Sequence, residues 1–587
     1  MNSLVILLIG ILVIFIGYYL YAKFIDRSVI QPDDKKATPA KMFMDGVDFS
    51  PANRNVLFGY QFKSIAALGP ILGPIVAVQW GWLPALLWII LGTFFIGWVQ
   101  DYSSIVLGLR EEGQSFGALS YRLVSPRSRS ILITFIYFYL LLIMGAFGVQ
   151  VGFNLLTNPA VPLGVIFVIL VGILAGQMTY KWKMDIILTS AITVILAFVG
   201  IWLGTQPFSK TLFSGILGLV TGADGKTSSP NLFLAVTQAR FVGSLLVCII
   251  CYFGAILPIW RWAQPINYVA FWIVSLGVLG GIIGLLIWRP GMGDFPAYTG
   301  FTAAAGPLWP MLFVTIACGA ISGWHSLVSS SGTARQIEKE SDALFVGGGA
   351  MFFEMFFAIM AFLTATVAFG SYQGYLDAGG FSGAAAVFTK GLATFMSKWG
   401  LEPGFGTAYG SVFLTLMALT IMYLVVRFMR VASAEALGDA IPAMRNPHVG
   451  TIVALILTLV LIWLIPFLQI WVVFGAANQL MASLALLLVT LWLMSKGKNY
   501  QWTFWPFIFM FVTTIGALLY QAYGALLVNI PKAAALAEKQ KLTVGQVTAA
   551  NLIIGAICLV LIITAIILAW DALKAFQKYR VEAVAKA

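Results

Sequence analysis

Three ionisable residues, Lys63, Asp101 and Glu354, stand inside stretches apolar enough to lie in a bilayer. His325 is the one of the chain's two histidines that does so as well. A charge in hydrocarbon is costly, and one that persists there usually serves an ion pathway, a proton relay or a substrate. Imidazole exchanges protons near neutral pH. Lys63, Asp101 and Glu354 are therefore expected to carry ion or proton coupling. His325 is expected to carry a proton, bind substrate, or simply satisfy a neighbouring polar group. A Lys63–carboxylate pair is geometrically possible, because all three charged residues fall in the inner half of the membrane on the topology given below.

The stretch from Gly59 to Pro84 places Gly69-Pro70 and Gly73-Pro74 in the middle of a span. Proline removes a backbone donor and glycine loosens the same turn. Unpaired backbone survives at membrane depth only against protein or a wet cavity. Gly69, Gly73 and Pro74 are thus candidates for a substrate site built on a discontinuous helix. A second such stretch, Pro307 to Gln336, holds Ser322, Ser326, Ser329, Ser330 and Thr333. Hydroxyls and freed carbonyls suit Na⁺ or a small polar substrate. Ser322 and Ser326 are assigned to substrate, and Ser329, Ser330 and Thr333 to coupling. Gly319 and Gly323 read better as helix-packing residues. Asn478 and Gln479 are adjacent amides inside a span, and they need partners in the bundle or a substrate. Pro258 and Pro265 bracket Trp260, Arg261 and Trp262, where Arg261 either anchors a helix end or holds a carboxylate.

The elements that must position these residues are membrane helices. Of the 587 residues 60% are hydrophobic and 10% charged, with mean hydropathy +0.94; soluble domains carry about 25% charge. At about 20 apolar residues per passage, roughly fifteen spans are expected, those near 161–176 and 450–466 being short. Placing the N-terminus outside puts most of the 34 Lys and Arg on the inner side, as the positive-inside rule requires. The net charge of +12 then reflects topology and not nucleic-acid binding. Cys248 and Cys251 form a CxxC without a second pair, so no metal is expected. Gly225-Lys226-Thr227 resembles the end of a P-loop, but the first glycine of that motif would fall at Val220. No metalloprotease motif, catalytic carboxylate pair or nucleophile elbow is present; the chain is not expected to be an enzyme.

Six stretches resemble the carbon starvation CstA family: LFGYQFKSIAALGPILGPIVAVQWGWLPALLWIILG, WVQDYSSIVLGLREEGQS, LPIWRWAQPINYV, PLWPMLFVTIACGAISGWHSLVSSSGTARQI, GGGAMFFEMFFAIMA and FGAANQLMASLAL. The resemblance implies a secondary transporter of the amino acid–polyamine–organocation superfamily, with a LeuT-like core of two inverted five-helix repeats. Tyr60-Gln61 stand where relatives carry a histidine pair, and Met417 to Leu437 lacks an Asp-Thr pattern. The first repeat is expected to start at the Gly59–Pro84 helix. The second is expected at the seventh helix, with its break at Leu257-Pro258, or at the ninth.

The expected protein is an all-α polytopic membrane protein. Residues 1–56 form an extra helix and inner loop, 57–495 the core, and 496–587 accessory helices and an inner tail. Its expected function is ion-coupled uptake, by H⁺ or Na⁺ and without a cofactor, of small carboxylated nutrients at a bacterial or archaeal cell membrane. Peptides come first and pyruvate with protons second; a membrane-embedded nutrient sensor is the reading of another class. The expected partners are the bilayer and a small-molecule substrate, not nucleic acid.

Overall fold

A backbone in lipid must satisfy its own donors and acceptors, so spans of this composition become helices. The computed structural model describes residues 2–586 apart from 46–48, 223–226, 234–235, 260 and 541; Gly225, Lys226 and Trp260 lie outside the described residues. Among the described residues 13 continuous helices are long and apolar enough to cross a membrane. They are α1 (Ser3–Ile30), α3 (Trp82–Arg110), α4 (Pro126–Leu155), α5 (Pro162–Lys181), α6 (Ile186–Gly204), α7 (Gln238–Ile256), α8 (Ala263–Trp288), α10 (Glu340–Thr366), α11 (Pro403–Leu437), α12 (Pro447–Leu464), α13 (Phe467–Ser495), α14 (Gln501–Asn529) and α15 (Val544–Val581). Two interrupted segments stand among them, of which only the first is long and apolar enough to count as a span, giving up to 14 among the described residues against the fifteen expected. One is α2, made of α2a (Arg54–Ile65) and α2b (Gly69–Trp80), bent by 48°. The other is α9, made of α9a (Leu308–Thr315) and α9b, which runs from Gly323–Val328 through the π-turn Ser329–Thr333. The short segments near 161–176 and 450–466 correspond to α5 and α12 and are long enough to span.

Local chemistry sets the ends. Proline opens α4, α5, α11 and α12, where its missing N–H is not needed. Asn53, Asp185, Thr237 and Asn446 cap α2a, α6, α7 and α12 by accepting backbone N–H groups.

Helices α2 and α9 run antiparallel and side by side. At one end the Trp80 indole donates to the Gly306 carbonyl over 3.1 Å, and Ala305 N–H donates to Gln79 Oε1 over 2.9 Å. At the other, Ala52 just ahead of α2a donates its N–H to the Gln336 carbonyl just beyond α9b over 2.9 Å. The surrounding helices repeat one pattern about this pair. Helix α8 packs on α2a, α10, α11 and the short helix Ala384–Ser397; α13 packs on α9b, α3, α4 and the short helix Phe116–Leu123. Helices α7 and α12 both pack on α4 and α11. The two sets are thus α2, α3, α4, α7, α8 and α9, α10, α11, α12, α13, with α5 and α6 inserted in the first. Seven passages separate their starts, so the second set is inverted.

This places the second break in the ninth passage and corrects the leaning toward Leu257-Pro258. Those residues lie in the turn between α7 and α8, two complete spans of 19 and 26 residues. Helix α13 is buried along its length, whereas α1 is largely exposed outward.

Candidate functional site

The two breaks face each other. The chain leaves α2a at Ala66, in extended backbone, and re-enters a helix at Gly69. It leaves α9a at Ile316 and re-enters after Ser322, also extended. A Cβ on Gly69 would stand 2.3 Å from Cys318 Sγ, and one on Gly73 2.8 Å from the Thr315 carbonyl oxygen. Gly69 and Gly73 therefore let the two interrupted helices touch backbone to backbone, and Pro74 lies buried within α2b.

Side chains from neighbouring helices take up the carbonyls that the breaks release. The Trp324 indole donates to Ser64 O over 2.7 Å. Gln100 Nε2 donates to Ser322 O over 2.8 Å and also to Ser326 Oγ. Gln479 Nε2 donates to Phe313 O and Ile316 O, over 2.7 and 3.1 Å. Asn478 Oδ1 accepts from Tyr139 Oη at 2.6 Å, Ser322 Oγ at 3.1 Å and the Trp324 N–H at 3.3 Å. Asn478, Gln479 and Ser322 thus hold the second break in shape.

The hydroxyl run is similarly engaged. Gln61 Nε2 donates to Ser329 Oγ over 2.9 Å, Thr333 Oγ1 donates to Gln61 Oε1, and Ser330 Oγ donates to Ser326 O over 2.8 Å. Among the described residues no group of three or more His, Cys, Asp or Glu side chains is arranged to hold a metal ion.

At the centre Asp101 of α3, His325 of α9b and Glu354 of α10 come together, all fully buried. His325 Nδ1 lies 3.0 and 3.2 Å from the Asp101 carboxylate oxygens. His325 Nε2 lies 3.3 Å from Glu354 Oε2, but the angles there do not make a hydrogen bond, and neither Glu354 oxygen has such a partner among the described residues. Each of the three helices carries a π-turn close by, at Thr93–Gly97, Ser329–Thr333 and Leu344–Gly348. A π-turn adds a residue to the helical repeat and re-aims the following face, a device frequent at functional sites. Two carboxylates flanking an imidazole can hold, share and release protons.

Lys63 is placed apart from this triad. Its Nζ donates to Thr420 Oγ1 of α11 over 2.7 Å, and it pairs with none of the three carboxyl-bearing or imidazole groups. Arg261 is exposed in the α7–α8 turn, away from the breaks. Cys248 and Cys251 are buried free thiols. Sequence reasoning passed over Tyr139, Thr420, Cys318 and Trp324, whose types are ordinary in membrane helices. Gln100 and Gln61 carried a usable signal, as amides in apolar stretches.

An inverted pair of helix sets, crossing at two interrupted helices and enclosing a buried acid–imidazole–acid triad, defines a multi-pass membrane protein of transporter-like architecture. The chain belongs to the carbon starvation protein CstA family, whose model matches residues 2–380 and 376–517. It is 30% identical over 385 residues to the peptide transporter CstA of Escherichia coli (strain K12), covering 62% of this chain and 50% of that one. It is 31% identical over 375 residues to the pyruvate/proton symporter BtsT of the same organism, covering 62% and 49%. The chain spans about half the length of these curated relatives. Among solved structures, MhsT in complex with L-phenylalanine aligns with 80% of this chain and 98% of its own, at 13% identity and a TM-score of 0.48.

Proposed function

We propose that the chain is a secondary active transporter that takes up small carboxylated nutrients, peptides first, driven by protons. The observation that carries the reading is the buried Asp101–His325–Glu354 triad at the crossing of α2 and α9. Such a triad can load a proton in one conformation and release it in another. Sodium is the second choice of coupling ion: Ser330 and Thr333 give their protons to Ser326 O and Gln61 Oε1 and so keep oxygen lone pairs suited to a cation. The substrate carboxylate would rest at the N-terminus of α2b, where interrupted backbone offers N–H donors. The positive-inside count supports an N-terminus outside and a C-terminus in the cytoplasm. The names of the relatives support transport of peptides, and one supports pyruvate with protons. Similarity to the two is nearly equal, so pyruvate is the second substrate.

The test is uptake into proteoliposomes holding the full chain. Radiolabelled dipeptide or pyruvate should accumulate when the outside is acid, and a proton ionophore should abolish accumulation. Absence of proton-driven flux for both compounds would sink the reading.

A further inference from the structure

The triad is chemically asymmetric. Asp101 is hydrogen-bonded to His325 Nδ1 through a carboxylate whose two oxygens lie 3.0 and 3.2 Å away. Its helix is also pinned to α9b one residue earlier, where Gln100 donates to Ser322 O and Ser326 Oγ. Asp101 and His325 therefore move as one unit. Glu354 stands on a different helix, α10. It is fully buried, and both its oxygens lack hydrogen-bond partners.

The charges give the same asymmetry. Two carboxylates and one imidazolium leave a net negative charge, and an uncompensated charge is expensive to bury. The remaining charged groups on helices packed against α10 are turned elsewhere. Lys63 is held by Thr420, Lys23 lies over the Tyr19 ring, Asp26 accepts from the Tyr102 hydroxyl, Arg54 lies over the Phe345 ring, Arg110 pairs with Glu340, Lys390 reaches the Ala378 carbonyl, Asp377 accepts from Gln373, and Arg27 and Arg289 are exposed. Neutrality in the closed state thus calls for one further proton on the triad. Asp101 already accepts a hydrogen bond as the imidazole's anionic partner, which leaves Glu354.

We infer that Glu354 is the carrier of the transported proton and that Asp101 is a positioning residue acting through His325; this rests on the transporter reading above. A proton from outside forms the O–H bond of Glu354 and neutralises the closed state. When α10 separates from α9b on the inner side, the same O–H bond breaks and the proton leaves to the cytoplasm. Asp101 and His325 end the cycle unchanged.

Two measurements on the full chain test this division. The first is infrared spectroscopy of the purified protein, which needs no transport. A carbonyl band from a buried, protonated carboxylic acid should be present in the wild type, shifted in frequency by Glu354→Asp and left in place by Asp101→Glu, two variants that keep the charge count of the triad. No such band in the wild type, or a band shifted by Asp101→Glu and left in place by Glu354→Asp, overturns the inference whether or not the chain transports anything. The second is transport of whichever of dipeptide or pyruvate the wild type accumulates. Glu354→Gln should lose at least about tenfold in pH-driven accumulation while still exchanging labelled for unlabelled substrate, at a reduced rate. Asp101→Asn should stay coupled, with its pH profile moved to lower pH because the imidazolium has lost its anionic partner, and Asp101→Glu should move the profile back. PH-driven accumulation by Glu354→Gln at the wild-type level, loss of exchange in that folded variant, or equal uncoupling of Glu354→Gln and Asp101→Asn would each overturn it. A wild type that shows the infrared pattern but takes up neither compound would instead fault the transporter reading alone.

Discussion

Lys63 Nζ donates to Thr420 Oγ1 over 2.7 Å, joining the last turn of α2a to the middle of α11. Thr420 spends its own proton on Leu416 O, also at 2.7 Å, so its lone pair faces the ammonium. Lys63 is the only buried Lys or Arg among the described residues. One hydroxyl thus links an interrupted helix to a helix of the surrounding scaffold.

Thr420→Val removes that acceptor and leaves a buried ammonium short of a partner. The expected loss is about 1–3 kcal/mol, read as earlier thermal unfolding of the purified chain. Lys63→Met removes the group that needs the partner, so the double variant should be less destabilised than the sum of the singles by about 1 kcal/mol. Strict additivity would show that the ammonium draws its stabilisation elsewhere.

Gly69→Ala sets a methyl group 2.3 Å from Cys318 Sγ and 2.5 Å from Cys318 Cβ. Overpacking of this kind costs about 1–3 kcal/mol, and here it pushes the two breaks apart. Uptake should fall together with stability. Cys318→Gly vacates both clashing atoms, so Gly69→Ala/Cys318→Gly should recover part of each. Recovery of stability without recovery of uptake would place Gly69 in contact with substrate, beyond its packing role.

The first break was legible because Gly69-Pro70 marks a helix start locally, but its place was not: the chain is interrupted at Ala66–Leu68, ahead of that pair, and Gly73-Pro74 stands inside the continuous helix α2b. The second was harder to place. The proline at Leu257-Pro258 reads alike whether it interrupts a span or closes one, and only the packing of α8 and α13 separates the two cases. Asp101, His325 and Glu354 each stood out as ionisable groups in apolar surroundings. Their meeting did not, because 224 positions separate Asp101 from His325 and chain distance carries no record of helix rotation by π-turns. The partners of the hydroxyls at 329–333 were not legible either. A sequence does not show that a serine's proton is spent on the carbonyl one turn back, or that Gln61 from another helix reaches between them.

Asn478 offers a graded series. Tyr139→Phe removes one of three donors to its Oδ1 and should cost about 1 kcal/mol. Asn478→Leu leaves the Tyr139 hydroxyl, the Ser322 hydroxyl and the Trp324 N–H without their acceptor. At about 1–3 kcal/mol for each buried group left unsatisfied, that variant should be far less stable, with chemical denaturation as the measure. Similar losses for the two variants would mean that Asn478 is not the hub of the second break.

The extra helix α1 is stitched to the core by a polar strap. Arg110 Nε meets Glu340 Oε1 at 2.5 Å, Arg110 Nη2 donates to the Ile30 and Gln31 carbonyls at 2.9 and 3.2 Å, and Glu340 Oε2 accepts the Asp33 N–H at 2.6 Å. Arg110→Ala leaves Glu340 mostly buried without its cation and strips the Gln31 carbonyl of its donor, while the Ile30 carbonyl keeps Lys498 Nζ at 2.9 Å. The expected loss is about 2 kcal/mol, below that for a fully buried pair because the arginine is partly exposed. The informative variant is the exchange Arg110→Glu/Glu340→Arg. A bridge that were only an ion pair would recover on exchange. Here each partner also binds backbone of the strap with a fixed polarity: a carboxylate at 110 cannot donate to Ile30 and Gln31, and a guanidinium at 340 cannot accept from Asp33. The exchanged chain should therefore stay destabilised, with faster proteolysis after residues 31–42 than in the wild type. Restoration by the exchange would reduce the strap to simple charge pairing.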